Sequence, residues 1–379
     1  MLHIIQESSL TKVCHITTVH PNRYDVRIFQ KECTSLVEAG YMVTLLVNDD
    51  LPDENKDGVI IRSIAVPVRN RRERIKKAAR AAYIKALEVD ADIYHIHDPE
   101  LLPIAVKLKK KQKKVIFDSH EFTAEQIKYK PYIPKLLRNP ISKLYHTYET
   151  RCLNKLDGLV VPCTFNGEDY FKCVKVQKVI IGNHPRIEEF TNIERHEIDT
   201  DKVCYVGGLT EIRGLFHMIR GCYLAERKLV LIGDITSELR KKMESMPEYG
   251  CVEYLGVLPH DVAMKEVSKC AIGLSLLEPV GQYRSLDNLP TKVYEYMIMG
   301  MPVVMSDFPF YKNVLERYRF GVTVDSTDDR AIAAVIKNLI VDSELMVSMG
   351  QEGIKAIREE LNWELDGKKM IEFYKGINA

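Results

Sequence analysis

The amino-acid sequence predicts an α/β protein with two doubly wound domains, each built on a parallel β-sheet. Short β-branched runs alternate with longer segments of helical periodicity along the whole chain, which is typical of βαβ units. The length of 379 residues exceeds the roughly 100 to 200 residues of one domain. A polar stretch at 185–201 separates two series of such runs and has the composition of a linker.

The predicted strands fall into two series. The first has strands at 13–18, 43–47, 59–63, 93–97, 115–118, 158–161 and 178–181. The second has strands at 203–206, 229–232, 252–255, 271–277, 302–305 and 321–324. We therefore expect an N-terminal domain at 1–185, a C-terminal domain at 186–359, and a terminal helix at 360–379 that packs back on the first domain. Helical periodicity at 344–375 is broken at 360–363, where Trp363 can anchor the turn.

Composition excludes several classes of protein. Hydrophobic residues make up 46% and charged residues 28%, as in globular proteins and unlike disordered or fibrous ones. The apolar runs at 270–277 and 302–305 are shorter than the roughly 18 residues of a membrane span, and residues 1–12 lack the pattern of a signal peptide. The nine cysteines include no two closer than ten positions, so we expect buried thiols in a cytoplasmic protein.

Charge is distributed unevenly between the two halves. Residues 1–185 hold 30 Lys and Arg against 22 Asp and Glu, a net +8, and residues 186–379 hold 24 against 31, a net −7. A basic half suggests that this half faces an anionic surface or substrate. Ordinary solvation of two charged faces explains the same numbers equally well.

The residues that follow the predicted strands carry most of the functional information, because ligands of open parallel sheets bind beyond the carboxyl ends of the strands. In the first half these positions hold polar and titratable side chains; in the second half they hold glycines and acids. The first set is His97, Asp98, Asp118, Ser119, His120, Glu121, Cys163, Thr164, Asn183 and His184, and the second is Gly207, Gly208, Gly233, Asp234, Gly256, Glu278, Ser306 and Asp307. This division predicts acceptor chemistry in the first domain and nucleotide binding in the second.

A predicted helix at 291–299 begins after Pro290, which suits a first helical turn. Its N-terminus presents backbone N–H groups around Thr291 and Lys292, an arrangement that binds anions such as a diphosphate. Lys292 and Glu295 share one helix face and can meet the same ligand. Taken alone, a surface ion pair explains these two residues better.

The segment 205–214 leaves a strand through Gly207 and Gly208 and enters a helix that carries Arg213. Glycines let the backbone approach a ligand, and arginine can contact a phosphate through two hydrogen bonds. A tight turn explains the two glycines equally well, and the three-glycine dinucleotide fingerprint is absent from this segment.

Taken together, the motifs resemble those of family 4 glycosyltransferases, and the resemblance covers nearly the whole chain. The matching segments are 25–32, 95–100, 207–214, 233–234, 254–256, 287–295 and 297–307. The resemblance implies the GT-B fold, in which two Rossmann-like domains face a cleft. It also implies that Glu295 holds the nucleotide ribose and that Arg213 holds the diphosphate.

Two positions depart from the family pattern. Asp287 stands where the family usually has glutamate, so its role toward the donor sugar is open and Glu278 is a rival. Gly208 stands where the family usually has a basic residue, which leaves the diphosphate charge to Arg213 and Lys292.

The strand at 93–97 puts His95 and His97 on one face, and we expect only His97 to reach the rim of the sheet. The resemblance implies that this second histidine lines the cleft beside the reacting sugar carbon. A structural role for a histidine at a strand end is the alternative.

The acceptor-side candidates are Asp25, Arg27, Asp98, His120 and Glu121. Carboxylates and imidazoles are good hydrogen-bond partners of sugar hydroxyls. A helix cap formed by the segment 118–121 is an equally good explanation of that motif.

Two acidic triplets, 90–92 and 199–201, precede strands and so lie at the wrong edge of a sheet for a ligand; we expect no metal and no other cofactor. Basic clusters at 69–80 and 107–114 predict either a peripheral contact with an anionic membrane or a solvated helix face. No nucleic-acid-binding motif accompanies them.

The resemblance and the motifs together predict a retaining, metal-independent transferase. It would move a hexose from a nucleotide diphosphate sugar, first of all a UDP-sugar, to a hydroxyl of a saccharide, for which a lipid-linked acceptor in surface polysaccharide assembly is expected. His97, Arg213 and Lys292 are the expected catalytic residues. The donor-binding candidates are Gly207, Gly208, Arg213, Gly233, Asp234, Glu278, Asp287, Pro290, Thr291, Lys292 and Glu295. A nucleotide-sugar epimerase or hydrolase, or a non-catalytic nucleotide-sugar-binding protein, is the alternative.

Overall fold

The computed structural model describes residues 10–20, 22–130, 132–190, 195 and 197–378. Most of the segment 1–12 and part of the predicted linker at 185–201 lie outside these ranges. The chain forms two compact units. The first comprises the chain up to Thr164, Glu168–Asn183 and the chain from Asp366 onward; the second comprises Phe165–Gly167 and His184–Leu365.

The first unit is built on a sheet of eight strands. The strands are β1 (Lys12–Thr17), β2 (Met42–Val47), β3 (Glu54–Lys56), β4 (Val59–Ser63), β5 (Ile93–Ile96), β6 (Lys114–Asp118), β7 (Gly158–Val161) and β8 (Gln177–Ile180), in the order β3-β4-β2-β1-β5-β6-β7-β8. All neighbouring strands pair in parallel except β3 and β4. All three residues of β3, Glu54–Lys56, are polar, so hydrophobic periodicity did not predict this short edge strand.

Helices connect the strands of the first unit. They are α1 (Thr34–Glu38), α2 (Arg71–Glu73), α3 (Ala79–Val89), α4 (Leu102–Lys110), α5 (Thr123–Ile127) and α6 (Lys135–Leu153). Two π-helical turns, Ile28–Cys33 and Arg74–Ala78, lead into α1 and α3. The central strand β1 has Val13, Cys14 and Ile16 fully buried, as expected of a parallel strand covered on both faces.

The second unit is built on a sheet of six parallel strands. They are β9 (Asp199–Val206), β10 (Lys228–Ile232), β11 (Val252–Gly256), β12 (Cys270–Ser275), β13 (Val303–Ser306) and β14 (Gly321–Val324), in the order β11-β10-β9-β12-β13-β14. The helices are α7 (Leu215–Ala225), α8 (Ser237–Glu244), α9 (His260–Ser268), α10 (Thr291–Ile298), α11 (Pro309–Tyr318), α12 (Asp329–Val341) and α13 (Ser343–Glu359). Two hydrophobic clusters form its core.

The final helix, α14 (Trp363–Asn378), begins in the second unit and continues into the first. Trp363 is buried, and its backbone N–H donates to the carbonyl of Pro185 at 2.8 Å. Farther along, Phe373 packs on β7 at Gly158, where a Cβ atom would lie 2.5 Å from the phenyl ring. The helix therefore supplies part of the core of the first unit.

No helix among the described residues is long and apolar enough to cross a membrane. All nine cysteines are free thiols; seven of them are buried, Cys251 is partly exposed and Cys173 is exposed.

Candidate active site

Two glycine turns form the carboxyl edge of the second sheet, after β9 and β10. Gly207 and Gly233 have φ angles of +125° and +147°, a region that favours glycine. A Cβ at Gly233 would lie 2.0 Å from the carbonyl oxygen of Gly207. The backbones of the two turns are therefore in direct contact, and the N–H of Leu209 donates to the carbonyl of Asp234 at 2.8 Å.

Two cationic side chains converge on the first of these turns. The Lys292 ammonium donates to the Tyr205 hydroxyl at 3.2 Å and lies 4.3 Å from the centre of its ring. The Tyr205 hydroxyl in turn donates to the carbonyl of Gly208 at 3.1 Å, and Arg213 Nη1 donates to the same carbonyl at 3.2 Å. The turn, the tyrosine and the two cations thus form one connected group.

Lys292 is poorly solvated in this group. Its burial, together with the nearby charge of Arg213, lowers the pKa of the Lys292 ammonium to about 7. A multiply charged anion bound between Arg213 and Lys292 would stabilise the protonated form of Lys292 and raise its pKa again.

The unusual Gly208 has a structural consequence. A Cβ atom at this position would lie 2.9 Å from Arg213 Nη1. The Arg213 guanidinium therefore occupies the space into which a basic side chain at position 208 would extend. At this turn the family pattern has a basic residue in addition to the one at position 213. In this chain Arg213 is the basic residue of the turn, and Lys292 supplies the second cation from α10.

Helix α10 points its N-terminus at the same edge of the sheet. The helix begins at Thr291, as the sequence predicted, with Pro290 as its N-cap residue, and Thr291 is exposed in the first turn. One turn later, Glu295 Oε1 is hydrogen-bonded to His260 Nε2 at 3.0 Å. The imidazole thus holds the carboxylate expected to meet the ribose.

The two rival carboxylates differ in their partners. Asp287 Oδ2 accepts the backbone N–H of Gly167 at 2.6 Å, so this oxygen holds the segment 165–167 in place. Glu278 lies at the carboxyl end of β12, and its Oε1 is 4.0 Å from His217 Nε2. Asp287 is thus hydrogen-bonded through one oxygen to the segment 165–167, whereas Glu278 lies at ion-pair distance from a histidine.

In the first unit, the expectation that His97 reaches the rim of the sheet is wrong. Its side chain has no exposed surface, and burial lowers the pKa of its imidazole. His97 Nδ1 is instead hydrogen-bonded to His120 Nε2 at 3.0 Å, and 19% of the His120 side chain is exposed. His120 is thus the histidine at the surface, because β6 and its following turn place it outside His97.

Two further acceptor-side candidates have structural roles. Arg27 is buried; its Nε and Nη2 donate to Asp118 at 3.1 and 3.1 Å, and its Nη1 donates to the carbonyl of Ile181 at 3.2 Å. Asp98 is also buried and accepts from the backbone N–H groups of Thr18 and Val19 at 2.5 and 3.1 Å. Neither side chain is available to a substrate.

The remaining candidates lie nearer the surface. Asp25 Oδ1 accepts the backbone N–H groups of Arg27 and Ile28, each at 2.9 Å. Glu121 is exposed and is hydrogen-bonded to Gln126. The alternative of a helix cap at 118–121 is wrong, because α5 begins only at Thr123 and its N-cap residue is Phe122.

Sequence reasoning missed three residues of these sites. Tyr205 belongs to a buried strand and gave no sign that its hydroxyl links the two cations. His260 and His217, which face Glu295 and Glu278, lie on other helices, and sequence spacing does not show such contacts.

The two acidic triplets take no part in the glycine turns of the second unit or in the histidine pair of the first. Asp90 pairs with Lys113 at 2.7 Å, and Asp92 accepts the backbone N–H of Lys12 at 2.8 Å, both before strands. The triplet at 199–201 forms the first three residues of β9. A depression of about 600 Å³ at this amino edge of the second sheet is lined by Asp201, Tyr223 and Arg227, among others.

The fold and the family matches define a glycosyltransferase. Residues 27–183 match the domain family described as Glycosyltransferase Family 4, and residues 186–356 match the family described as Glycosyl transferases group 1. The chain belongs to the family 4 glycosyltransferases with the GT-B fold. The fold class and the family predicted from the sequence are thereby confirmed.

Known proteins similar to this chain are distant. The amylovoran biosynthesis glycosyltransferase AmsK of Erwinia amylovora is 22% identical over 180 residues, which cover 45% of this chain and 44% of AmsK. The match therefore spans less than half of that relative.

Solved structures match over nearly the whole chain. A sucrose-phosphate synthase from Thermosynechococcus elongatus has a TM-score of 0.77 at 16% identity, covering 97% of this chain and 99% of the other. Anabaena HepE, in complex with UDP and glucose, has a TM-score of 0.69 at 10% identity, covering 96% and 99%. At such identities the likeness shows the fold.

Proposed function

We propose that the second unit binds a UDP-hexose and that the enzyme transfers the hexose with retention to a saccharide hydroxyl. The observation that carries the proposal is the convergence of Arg213 and Lys292 on the turn at Gly207, beside the N-terminus of α10. Backbone N–H groups and two cations suit a diphosphate. The Glu295 carboxylate, one turn along α10, is suited to ribose hydroxyls. The HepE complex with UDP and glucose supports this choice of donor.

The proposed chemistry uses charge stabilisation. When the bond between the sugar carbon and the diphosphate breaks, negative charge grows on the leaving phosphate. Arg213, Lys292 and the α10 N-terminus stabilise that charge, which lowers the barrier. The acceptor hydroxyl then attacks the sugar on the face that the diphosphate has left, and its proton passes to the leaving phosphate. The two cations supply the charge for which other transferases use a metal.

Transfer is tested by measuring UDP release from UDP-glucose and UDP-galactose with and without saccharide and lipid-linked acceptors. We expect release that depends on the acceptor, together with a product of increased mass. Release without acceptor would indicate a hydrolase, a changed sugar without acceptor would indicate an epimerase, and binding without turnover would indicate a sensor. Each of these three results contradicts transfer.

The lowered pKa of Lys292 predicts a pH dependence of UDP binding. A bound diphosphate raises this pKa, so above pH 7 binding takes up a proton that the free lysine has lost. The affinity for UDP should therefore fall by up to about tenfold per pH unit above pH 7, and lose this dependence below pH 7. Calorimetry in two buffers of different ionisation enthalpy measures the proton uptake.

The Lys292→Met variant is the control for this prediction. It should bind UDP more weakly and without proton uptake at pH 8. The same uptake in the variant and the wild type would assign the titration to another group and remove Lys292 from the diphosphate site.

We further propose that the first unit binds an anionic membrane, which supports a lipid-linked acceptor. The basic cluster 69–80 covers α2 and the following π-helical turn, and Arg71, Arg72, Lys76 and Lys77 are exposed. Both clusters lie within the described residues and contain two ion pairs: Lys77 with Glu73 and Arg74 with Glu100 in the first, and Lys109 with Asp157 and Lys113 with Asp90 in the second. In the cluster 107–114, however, the exposed basic residues that the structure describes are Lys107, Lys110 and Lys111 alone. The first cluster is therefore the better candidate.

An apolar helix face lies beside the first cluster. On α6 the side chains of Leu136 and Leu144 are 91% and 72% exposed, and Leu137, Ile141 and Tyr148 extend the same face. Arg71 Nη1 donates to the Tyr132 hydroxyl at 2.9 Å, which joins the cluster to the segment before α6. Apolar side chains flanked by basic ones are typical of interfacial membrane contacts.

Neutralising the cluster should release the protein from anionic vesicles. We expect wild-type protein to sediment with phosphatidylglycerol vesicles at low salt and the variant with Arg71, Arg72, Lys76 and Lys77 changed to Gln to stay in the supernatant. Each basic residue near such a surface contributes about 1 kcal/mol. Lys110, Lys111, Lys172 and Lys175 changed to Gln form the matched control and should leave sedimentation intact. Wild-type protein that does not sediment would contradict membrane binding.

A further inference from the structure

Four titratable side chains converge in the core of the first unit. His15 comes from β1, Glu32 from the π-helical turn before α1, His95 from β5, and His97 from the position that directly follows β5. All four are 2% exposed or less. One nitrogen or oxygen atom from each lies within 4.8 Å of the corresponding atoms of the other three. We refer to these residues as the His3Glu cluster.

The spacing of three of these atoms suits a metal ion. His15 Nδ1 is 2.9 Å from His97 Nε2, and each of these nitrogens is 3.8 Å from Glu32 Oε2. Ligands about 2.0 to 2.1 Å from a tetrahedral zinc ion lie about 3.3 Å apart. The observed distances lie on both sides of that value, so shifts of a few tenths of an ångström would complete the geometry.

The cluster contains buried polar atoms without hydrogen bonds. Among the described residues, Oε2 of Glu32 and Nε2 of His95 have no hydrogen-bond partner, whereas Oε1 of Glu32 forms an ion pair with Arg27. A buried polar group without a partner costs about 1 to 3 kcal/mol, and more when charged. An ion bound by Glu32 and His95 would satisfy both groups at once.

In each residue of the His3Glu cluster, the nitrogen or oxygen atom that points away from the cluster contacts another residue. Tyr374 on α14 contacts both His95 Nδ1, at 2.6 Å, and His15 Nε2, at 3.3 Å. His97 Nδ1 faces His120 Nε2 at 3.0 Å. Glu32 Oε1 is paired with Arg27 Nε at 3.0 Å. Metal-bound histidines and carboxylates usually have their outer atoms fixed in this way.

We propose that the His3Glu cluster binds one divalent transition-metal ion, zinc first, as a structural site of the first unit. Imidazole and carboxylate ligands suit zinc, and a site closed by four protein ligands is structural rather than catalytic. The ion would join β1, β5 and the segment before α1. This site is distinct from the residues of the second unit that are proposed to bind a diphosphate, and it does not depend on the proposed transfer reaction.

The competing arrangement is free of metal. In it, His15 and His97 share a hydrogen bond, and the Glu32 carboxyl, whose pKa burial raises, stays protonated. The two arrangements differ in metal content and in the effect of removing the Glu32 carboxylate.

The test measures metal in full-length protein purified without a histidine tag. Plasma mass spectrometry should find about one zinc per chain, and cobalt substituted during refolding should give the visible absorption of a tetrahedral site. The variant Glu32→Gln should lose at least about tenfold in affinity for the metal, because changing even a residue that only supports a ligand typically costs about 10- to 100-fold. Glu38→Gln, the same change at an exposed position on the adjoining helix α1, should keep both signals.

The outcomes decide the proposal. Wild-type protein without zinc, including after refolding with zinc chloride, overturns it. Equal zinc content and affinity in Glu32→Gln and wild type also overturn it, because the ion then lies elsewhere. If Glu32→Gln does not fold, X-ray absorption of the wild-type protein decides: a shell of nitrogen and oxygen with imidazole scattering supports the cluster, and sulfur ligands overturn it.

Discussion

The variant His120→Ala should turn over about 100-fold more slowly than the wild type, with its affinity for UDP changed by less than about twofold. His120 is the more exposed member of the hydrogen-bonded pair with His97, and it belongs to the first unit, whereas the proposed diphosphate site lies in the second. A positioned histidine contributes typically 10² to 10⁴ in rate, and an interaction made mainly in the transition state appears in turnover rather than in binding.

The measurement is acceptor-dependent UDP release at saturating donor, together with calorimetric binding of UDP. His120→Asn keeps one hydrogen-bonding group on a shorter side chain and should recover part of the lost turnover. His146→Ala, which removes a partly exposed histidine of α6, is the control with unchanged turnover. Wild-type turnover in folded His120→Ala protein would exclude His120 from contact with either substrate.

Replacing Arg213 with alanine should weaken UDP binding by roughly 10- to 150-fold. A charge-assisted hydrogen bond contributes about 1.5 to 3 kcal/mol, and each 1.4 kcal/mol corresponds to about a factor of ten. The Arg213 guanidinium contacts the glycine turn through Nη1 and the carbonyl of Gly208, so its loss should affect the ligand more than the fold.

Calorimetry measures the affinity of the Arg213→Ala variant for UDP, and thermal unfolding measures its stability. Arg227→Ala is the matched control, because Arg227 lies in the same unit at the amino edge of the sheet. We expect this variant to bind UDP like the wild type. If the folded Arg213→Ala variant binds UDP equally well, the diphosphate does not bind at the glycine turn.

The sequence was sufficient to predict the glycine turns at the carboxyl edge of the second sheet and every described strand except β3. The reason is local: buried parallel strands appear as short apolar runs, and the turns after β9 and β10 need glycine where φ is positive. Lys292 lies in the first turn of α10, as predicted. The expectation that a helix carries Arg213 is wrong, because Arg213 ends the 3-10 turn Glu211–Arg213 and α7 begins only after Gly214.

The burial of individual side chains in the first unit could not be predicted from such local patterns. His97 follows the last residue of β5, yet it is covered by the turn that carries His120 after β6. Arg27 precedes a helix, as a loop residue would, but its ion pair with Asp118 joins positions 91 residues apart. Such burial depends on contacts between distant segments, which neither periodicity nor spacing reports.

The division of α14 between the two units affects the order in which the protein matures during synthesis. The first unit lacks Phe373 and Tyr374 until the ribosome has passed through the whole second unit, His184–Leu365. At about 5 to 20 residues per second this delay is roughly 10 to 40 s. During that time the surface at Gly158 and the inner histidines have no cover, so the unit that is translated first is the one that completes its core last.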